Sequence, residues 1–117
     1  MIPQIGQLLS IEMIRDGGSL AMSFITKGTE FWLFFGVRFN NDNSERLGYC
    51  EPVIVNRLIG TQTQVSWASA LSLLTSAHQF VENVEDKNWL IVMESVAKSE
   101  GKLPAKVERF IGPWSSL

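Results

Sequence analysis

The chain has 117 residues, of which 45% are hydrophobic and 19% charged; this composition is typical of a globular protein and excludes an intrinsically disordered one. A chain of this length supports one hydrophobic core, so we predict a single domain over residues 1–117. Ten basic and twelve acidic side chains give a net charge of −2, which argues against nucleic acid as a partner. One Cys and one His exclude a disulfide framework and a standard zinc site, and we predict no metal and no cofactor.

The N-terminal part has the pattern of strands joined by tight turns. Residues 5–16 are rich in Ile, Leu and Met and predict a first strand, followed by the turn sequence Asp-Gly-Gly-Ser at 16–19. Large and small side chains alternate over residues 20–25, which predicts a second strand. Lys27, Gly28 and Thr29 then predict a second turn.

Residues 30–39 have the strongest strand pattern in the chain. Aromatic and aliphatic side chains occupy both alternating faces at its start, which predicts a central strand that is covered on two sides, at least in part. A polar loop follows at 40–46, and residues 47–56 predict a fourth strand with Tyr49, Val53 and Val55 on one face. Pro52 cannot donate to a ladder, so this strand is expected to be an edge or to bulge there.

The C-terminal part has helical patterns. Ser66 is the expected N-cap of a helix from Trp67 to about Glu82, whose apolar side chains fill half of the helical wheel. A second helix is expected to begin at an Asp86 cap and to end before Gly101 at the left-handed C′ position. Its apolar run at 89–93 leaves a fifth strand as the alternative, and residues 104–110 predict a last short helix.

Together these elements predict an α+β fold. We expect a four-stranded antiparallel β-meander in the N-terminal half, with two to three helices from the C-terminal half packed on one face. The Phe-rich face of residues 31–39 is expected to pack against the apolar stripe of the first helix, Trp67–Val81.

Catalytic chemistry has a weak basis in this sequence. Cys50 and His78 are the only candidates for a nucleophile and its base, and a ligand-binding or hydrolytic domain that uses them is one hypothesis. The competing interpretation is a buried structural thiol and an imidazole at the edge of the core, and it favours a protein that is not an enzyme. We predict no catalytic residues.

Binding to another protein fits the sequence better. Small size, acidic charge and the lack of a catalytic motif favour an immunity- or antitoxin-type inhibitor that neutralises a basic toxin domain, a nuclease being one candidate class. The alternative is a homo-oligomeric interaction subunit, a homodimer for example, joined through the face of Trp32 and Phe34 or through an unpaired edge strand. The candidate partner-binding residues are Asp42, Glu45, Glu82, Glu85, Asp86 and Trp114.

The expected location is the cytoplasm. The first basic residue is Arg15, and Pro3 and Gly6 interrupt the apolar residues before it, so the pattern of a secretory signal is not met. No apolar stretch approaches the ~18 residues of a membrane span, and we predict no membrane partner. A single thiol also favours a reducing compartment.

Overall fold

The structure, a computed structural model, describes residues 2–14, 18–39 and 46–102. In these ranges the chain forms seven strands and two α-helices, which confirms the predicted α+β class. The helices are α1 (Trp67–Ala77) and α2 (Val84–Lys98), with a 3-10 turn at His78–Phe80 between them. The strands are Gln7–Ile14 (β1), Ser19–Thr26 (β2), Thr29–Phe35 (β3), Val37–Phe39 (β4), Arg46–Tyr49 (β5), Val53–Asn56 (β6) and Gln62–Gln64 (β7).

Five of these strands form one antiparallel sheet in the order β1-β2-β3-β6-β7. The connections are those of a meander, as predicted, and β3 lies at the centre. The prediction of four strands was wrong in number, because β7 was missed and two long strands are each divided. β7 consists of Gln62, Thr63 and Gln64, all exposed, so it lacks the apolar alternation that would have identified it.

The two divided strands break at the same level of the sheet. Gly36 separates β3 from β4, and residues 50–52 separate β5 from β6, so β4 and β5 pair with each other in a separate two-stranded sheet. The backbone N–H of Cys50 donates to the carbonyl of Gly36 across the break, at 2.6 Å. Pro52 has no N–H to continue the ladder, which agrees with the predicted irregularity there.

The break also changes which side chains share a face. Tyr49 was expected beside Val53 and Val55, but this prediction was wrong. Tyr49 is buried in the core, where its ring meets the edge of Phe35 with the centroids 6.4 Å apart, whereas Val53 and Val55 lie on the opposite face of the main sheet. The irregular residues 50–52 interrupt the two-residue alternation on which the expectation depended.

The predicted turn between β2 and β3 is confirmed as a two-residue hairpin. Thr26 pairs with Thr29, and both intervening residues have positive φ, 49° at Lys27 and 78° at Gly28. This conformation is that of a type I′ turn, which matches the right-handed twist of the flanking strands. Lys is an unfavourable residue at the first position, because its Cβ crowds the backbone in the left-handed region.

Lys27→Asn is therefore expected to stabilise the protein by about 1 kcal/mol, since Asn adopts the left-handed conformation more readily. Urea denaturation of the wild type and the variant measures the difference. Lys27→Gln removes the same charge without this conformational preference and serves as the matched control. An equal gain in both variants would attribute the effect to charge and contradict the explanation.

Helix α1 begins at the predicted residue and ends before the predicted one. The side chain of Ser66 accepts a hydrogen bond from the backbone N–H of Ser69 at 3.0 Å, which confirms the predicted N-cap. The helix was expected to continue to Glu82, but it ends at Ala77 and tightens into the 3-10 turn. Val81 is extended and still buried, so its hydrophobic position was right although its helical state was wrong.

Helix α2 corrects three further expectations. Residues 89–93 are helical, so the alternative of a fifth strand there was wrong. The N-cap is Asn83, and Asp86 is its reciprocal partner: Asn83 Oδ1 accepts from the Asp86 N–H at 2.7 Å, and Asn83 Nδ2 donates to Asp86 Oδ2 at 2.9 Å. At the other end Glu100 takes the left-handed C′ position, with φ 54°, and Gly101 is the next residue, with φ 85°.

The core lies between one face of the main sheet and both helices. From the sheet it takes Leu20, Met22, Phe24, Leu33, Phe35 and Ile54, all buried. From the helices it takes Ala70, Leu74, Leu90, Met93 and Val96. Phe35 meets Trp67 edge to face, with ring centroids 5.2 Å apart, so the predicted contact between the Phe-rich face and α1 is confirmed at this pair.

Candidate functional site

The second face of the main sheet carries apolar side chains without a helix above them. We call this surface the helix-free face and define it by Ala21, Ser23, Trp32, Phe34, Val53 and Val55. Trp32, Phe34 and Val53 are partly exposed, and none of the six belongs to the core cluster that includes the helices. Ala21, Ser23 and Val55 are nevertheless buried, so the expectation of a central strand whose second side is covered at least in part is not contradicted, although no helix within residues 2–14, 18–39 and 46–102 packs there.

A small polar network holds Trp32 in place on this face. The carboxylate of Glu30 accepts hydrogen bonds from Trp32 Nε1 at 2.7 Å and from Ser23 Oγ at 3.1 Å. The guanidinium of Arg57 lies over the Trp32 ring, with Cζ 4.2 Å from a ring centroid. The indole is thus fixed at its edge by an acid and on one side by a cation before any partner arrives, which reduces the conformational entropy lost on binding.

Arg57 is the residue that sequence analysis missed. Uninterrupted alternation over residues 30–39 would place Arg38 on the same face as Trp32 and Phe34, but Arg38 belongs to β4 and pairs with Gly48 in the small sheet. Arg57 follows the end of β6, and its backbone N–H donates to the carbonyl of Glu30 at 2.9 Å. The alternation Val53, Val55, Arg57 could have identified it, because these three positions share one face of an extended chain.

The rim of the helix-free face is polar. Glu12 on β1 is exposed beside Ala21, and Gln62 and Gln64 on β7 are exposed beside Val55 and Val53. An apolar centre with aromatic side chains and a polar rim is the usual anatomy of a protein–protein contact surface.

Three of the predicted partner-binding residues lie together at the start of α2. Glu82 and Glu85 are exposed, and Asp86 is engaged in the reciprocal cap with Asn83. Acidic side chains in a first turn also stabilise the positive end of the helix dipole, so Glu85 and Asp86 have a structural role, whereas Glu82 precedes the cap. Asp42, Glu45 and Trp114 lie outside the described residues, as do the first half of the 16–19 turn and the short helix expected at 104–110.

Cys50 and His78 do not form a pair. His78 is half exposed, in the 3-10 turn, and its Nε2 lies 2.7 Å from Oε1 of Glu94 on α2. Cys50 is exposed between β5 and β6, so the interpretation of a buried thiol was wrong. The backbone N–H of Cys50 is held by Gly36, and the thiol has no partner among the described residues.

Two of the grooves beside the N-terminal segment have volumes above 400 Å³. One, of about 420 Å³, lies between residues 2–5 and the polar side of α1, where Ser69, Ser72 and Ser76 line it. The other, of about 470 Å³, is lined by Ile2, Pro3, Phe31 and the turn residue Lys27, among others. Among the described residues, neither lining contains a carboxylate, a His or a Cys, so these residues supply no acid–base pair in either groove.

Compared with protein-family models, curated proteins and solved structures, the chain gives no match. Among the described residues, no three His, Cys, Asp or Glu side chains are grouped so as to hold a metal ion. In the same part of the chain, neither helix has the length and apolar character needed to span a membrane.

Proposed function

We propose that this chain is a protein-binding module and that the helix-free face is the surface through which it binds. One observation carries the proposal: Trp32, Phe34 and Val53 are partly exposed on a sheet face that has no helix above it in the described ranges. Contiguous exposed apolar side chains with a polar rim mark interaction sites in soluble proteins, because water contact with such a patch is unfavourable unless a partner covers it.

The composition and rigidity of the face support the same proposal. Trp and Arg are enriched among the residues that dominate binding energy, and here Arg57 stacks on Trp32 at the edge of the apolar patch. The hydrogen bond from Trp32 to Glu30 fixes the indole in one orientation. The edge strands are poor alternatives as contact sites, since β7 is short and polar and the pairing of β1 is irregular between Leu8 and Ser10.

The test compares two apolar-to-polar substitutions on a partner recovered with the full chain from its own cells. Phe34→Ser is expected to weaken that partner's affinity at least about tenfold, since it removes an aromatic contact from the centre of the face. Leu58→Ser is the matched control, because Leu58 is 76% exposed in the turn after β6 and lies off the face. Equal affinities for wild type and Phe34→Ser would contradict the proposal.

A narrower form of the proposal is an immunity- or antitoxin-type inhibitor of a basic toxin. It is supported by the net charge of −2 and by the exposed carboxylates of Glu82 and Glu85 at one end of α2. In this form the protein acts in the cytoplasm, and electrostatic steering brings the basic toxin to the acidic cluster of Glu82 and Glu85. This cluster would be a second contact in addition to the helix-free face.

Reversal of Glu82 and Glu85 to Lys is expected to slow association with a basic partner about tenfold or more, and less so at high salt. Asp86 is left unchanged, because its carboxylate holds the Asn83 cap of α2 and its reversal would damage the helix. Glu100→Lys, also exposed but at the far end of α2, is the control, and surface plasmon resonance gives the rates. An unchanged association rate would remove this cluster from the contact surface.

A further inference from the structure

We infer that the groove beside the β2–β3 turn binds a small monocarboxylate with an apolar tail. Lys27 and the hydroxyls of Thr26 and Thr29 hold the carboxylate, and Pro3 and Phe31 contact the tail; all five residues line the groove. The site is separate from the helix-free face, which belongs to the other side of the sheet.

The groove has the size and the apolar floor of a small-molecule site. Its volume of about 470 Å³ lies within the range of ligand pockets, roughly 300–1,000 Å³. Phe31 is partly buried and stacks on Phe24 of the core, with ring centroids 5.7 Å apart, so its ring is a fixed surface. Pro3 and Phe31 also line a smaller groove of about 90 Å³, which extends the apolar surface. A tail that covers this ring removes it from water, which favours binding.

Two hydroxyls stand together at the turn end of the groove. Thr26 pairs with Thr29 across the hairpin, and Phe24 pairs with Phe31 two positions further along the same strands. Because side chains alternate along a strand, both hydroxyls point to the side of the sheet on which Phe31 lies. Within the described part of the chain neither hydroxyl has a hydrogen-bond partner, so both are available to donate to a carboxylate.

Lys27 gives this end of the groove a positive charge. Among the described residues that line the groove it alone is charged, and no described carboxylate forms an ion pair with it. The charge therefore favours an anion. Lys27 also has the unfavourable left-handed φ of 49°, and a residue other than glycine in such a conformation points to a functional role. Lys27→Asn is thus expected to combine its gain in stability with weaker ligand binding.

The test uses octanoate, which joins one carboxylate to an apolar tail, below its micelle concentration. In two-dimensional amide NMR spectra of the full chain, octanoate is expected to shift the signals of residues 26–31. Octan-1-ol, which has the tail without the charge, and acetate, which has the charge without the tail, are each expected to bind at least about tenfold more weakly.

The matched variants are two lysine substitutions that remove the same charge. Lys27→Gln is expected to weaken octanoate binding about fivefold or more and to leave octanol binding unchanged, because only the carboxylate contacts the ammonium. Lys87→Gln, at an exposed position on α2, is expected to leave both affinities unchanged. Thermal unfolding shows that each variant is folded.

The outcomes separate this site from the proposed function of the helix-free face. No shift in residues 26–31 at the highest octanoate concentration overturns the site. Octanol that binds as tightly as octanoate, or equal effects of Lys27→Gln and Lys87→Gln, overturns the assignment of a carboxylate. Shifts confined to Trp32 and Phe34 overturn the groove as the site and leave protein binding by the helix-free face unaffected. A Phe34→Ser variant that retains a recovered partner overturns the proposed function alone.

Discussion

Gly101→Ala is expected to lower the free energy of unfolding by about 3 kcal/mol or more. A Cβ at this position would lie 2.5 Å from the carbonyl oxygen of Tyr49 and 2.7 Å from the ring of Trp67, and the residue has φ 85°. The carbonyl of Gly101 also accepts a hydrogen bond from the Tyr49 N–H at 2.7 Å, so the backbones of the α2 end and β5 meet here. Neither backbone can move away without losing this contact.

The matched control is Gly60→Ala. Gly60 has a similar positive φ of 77°, but a Cβ there would meet no atom within 4 Å. This substitution carries only the conformational strain of the left-handed region, about 1 kcal/mol. Urea denaturation of both variants measures the difference. Equal losses would show that close approach at Gly101 contributes nothing beyond strain and would contradict the docking of α2 on β5.

Phe35→Ala and Phe34→Ala are expected to lower the free energy of unfolding by very different amounts, although the two residues are adjacent in β3. Phe35 is fully buried against Tyr49 and Trp67, and its truncation is expected to lose about 3–5 kcal/mol. Phe34 is partly exposed on the helix-free face, and its truncation is expected to lose about 1 kcal/mol and to affect association instead.

Chemical denaturation of the two variants at low protein concentration measures this asymmetry, since any partner contact is then absent. A loss at Phe34 as large as that at Phe35 would mean that both faces of the sheet are equally buried within one chain. That result would remove the basis of the interaction surface.

Sequence analysis predicted correctly those elements that neighbouring residues determine. They are the Ser66 cap, the apolar side of α1 and the turn at Lys27 and Gly28. The break at Gly36 was not predicted, because a strand pattern continues through it and the break is set by pairing between distant segments. At residues 50–52 Pro52 indicated an irregularity, but not that the chain changes from one sheet to another there. β7 forms because β6 offers an edge, not because its three polar residues favour a strand.

The candidate site was partly visible in the sequence. Alternation placed Trp32 and Phe34 on one face of a central strand, as the structure does. It did not tell which face the helices would cover, since both faces of 31–35 are apolar. The contact of Arg57 with Trp32 depends on the pairing of β3 with β6, which no local pattern encodes.

Hydroxyl-radical footprinting of the full chain, read by mass spectrometry, tests the interaction surface most directly. In dilute solution we predict that Trp32 and Phe34 are oxidised, as are Leu58 and Ile59, which are 76% and 66% exposed in their turn. In the associated state, with a second copy or a recovered partner, Trp32 and Phe34 are predicted to become protected while Leu58 and Ile59 stay reactive. Protection of Trp32 and Phe34 already in the dilute monomer, or equal oxidation in both states, would contradict the account.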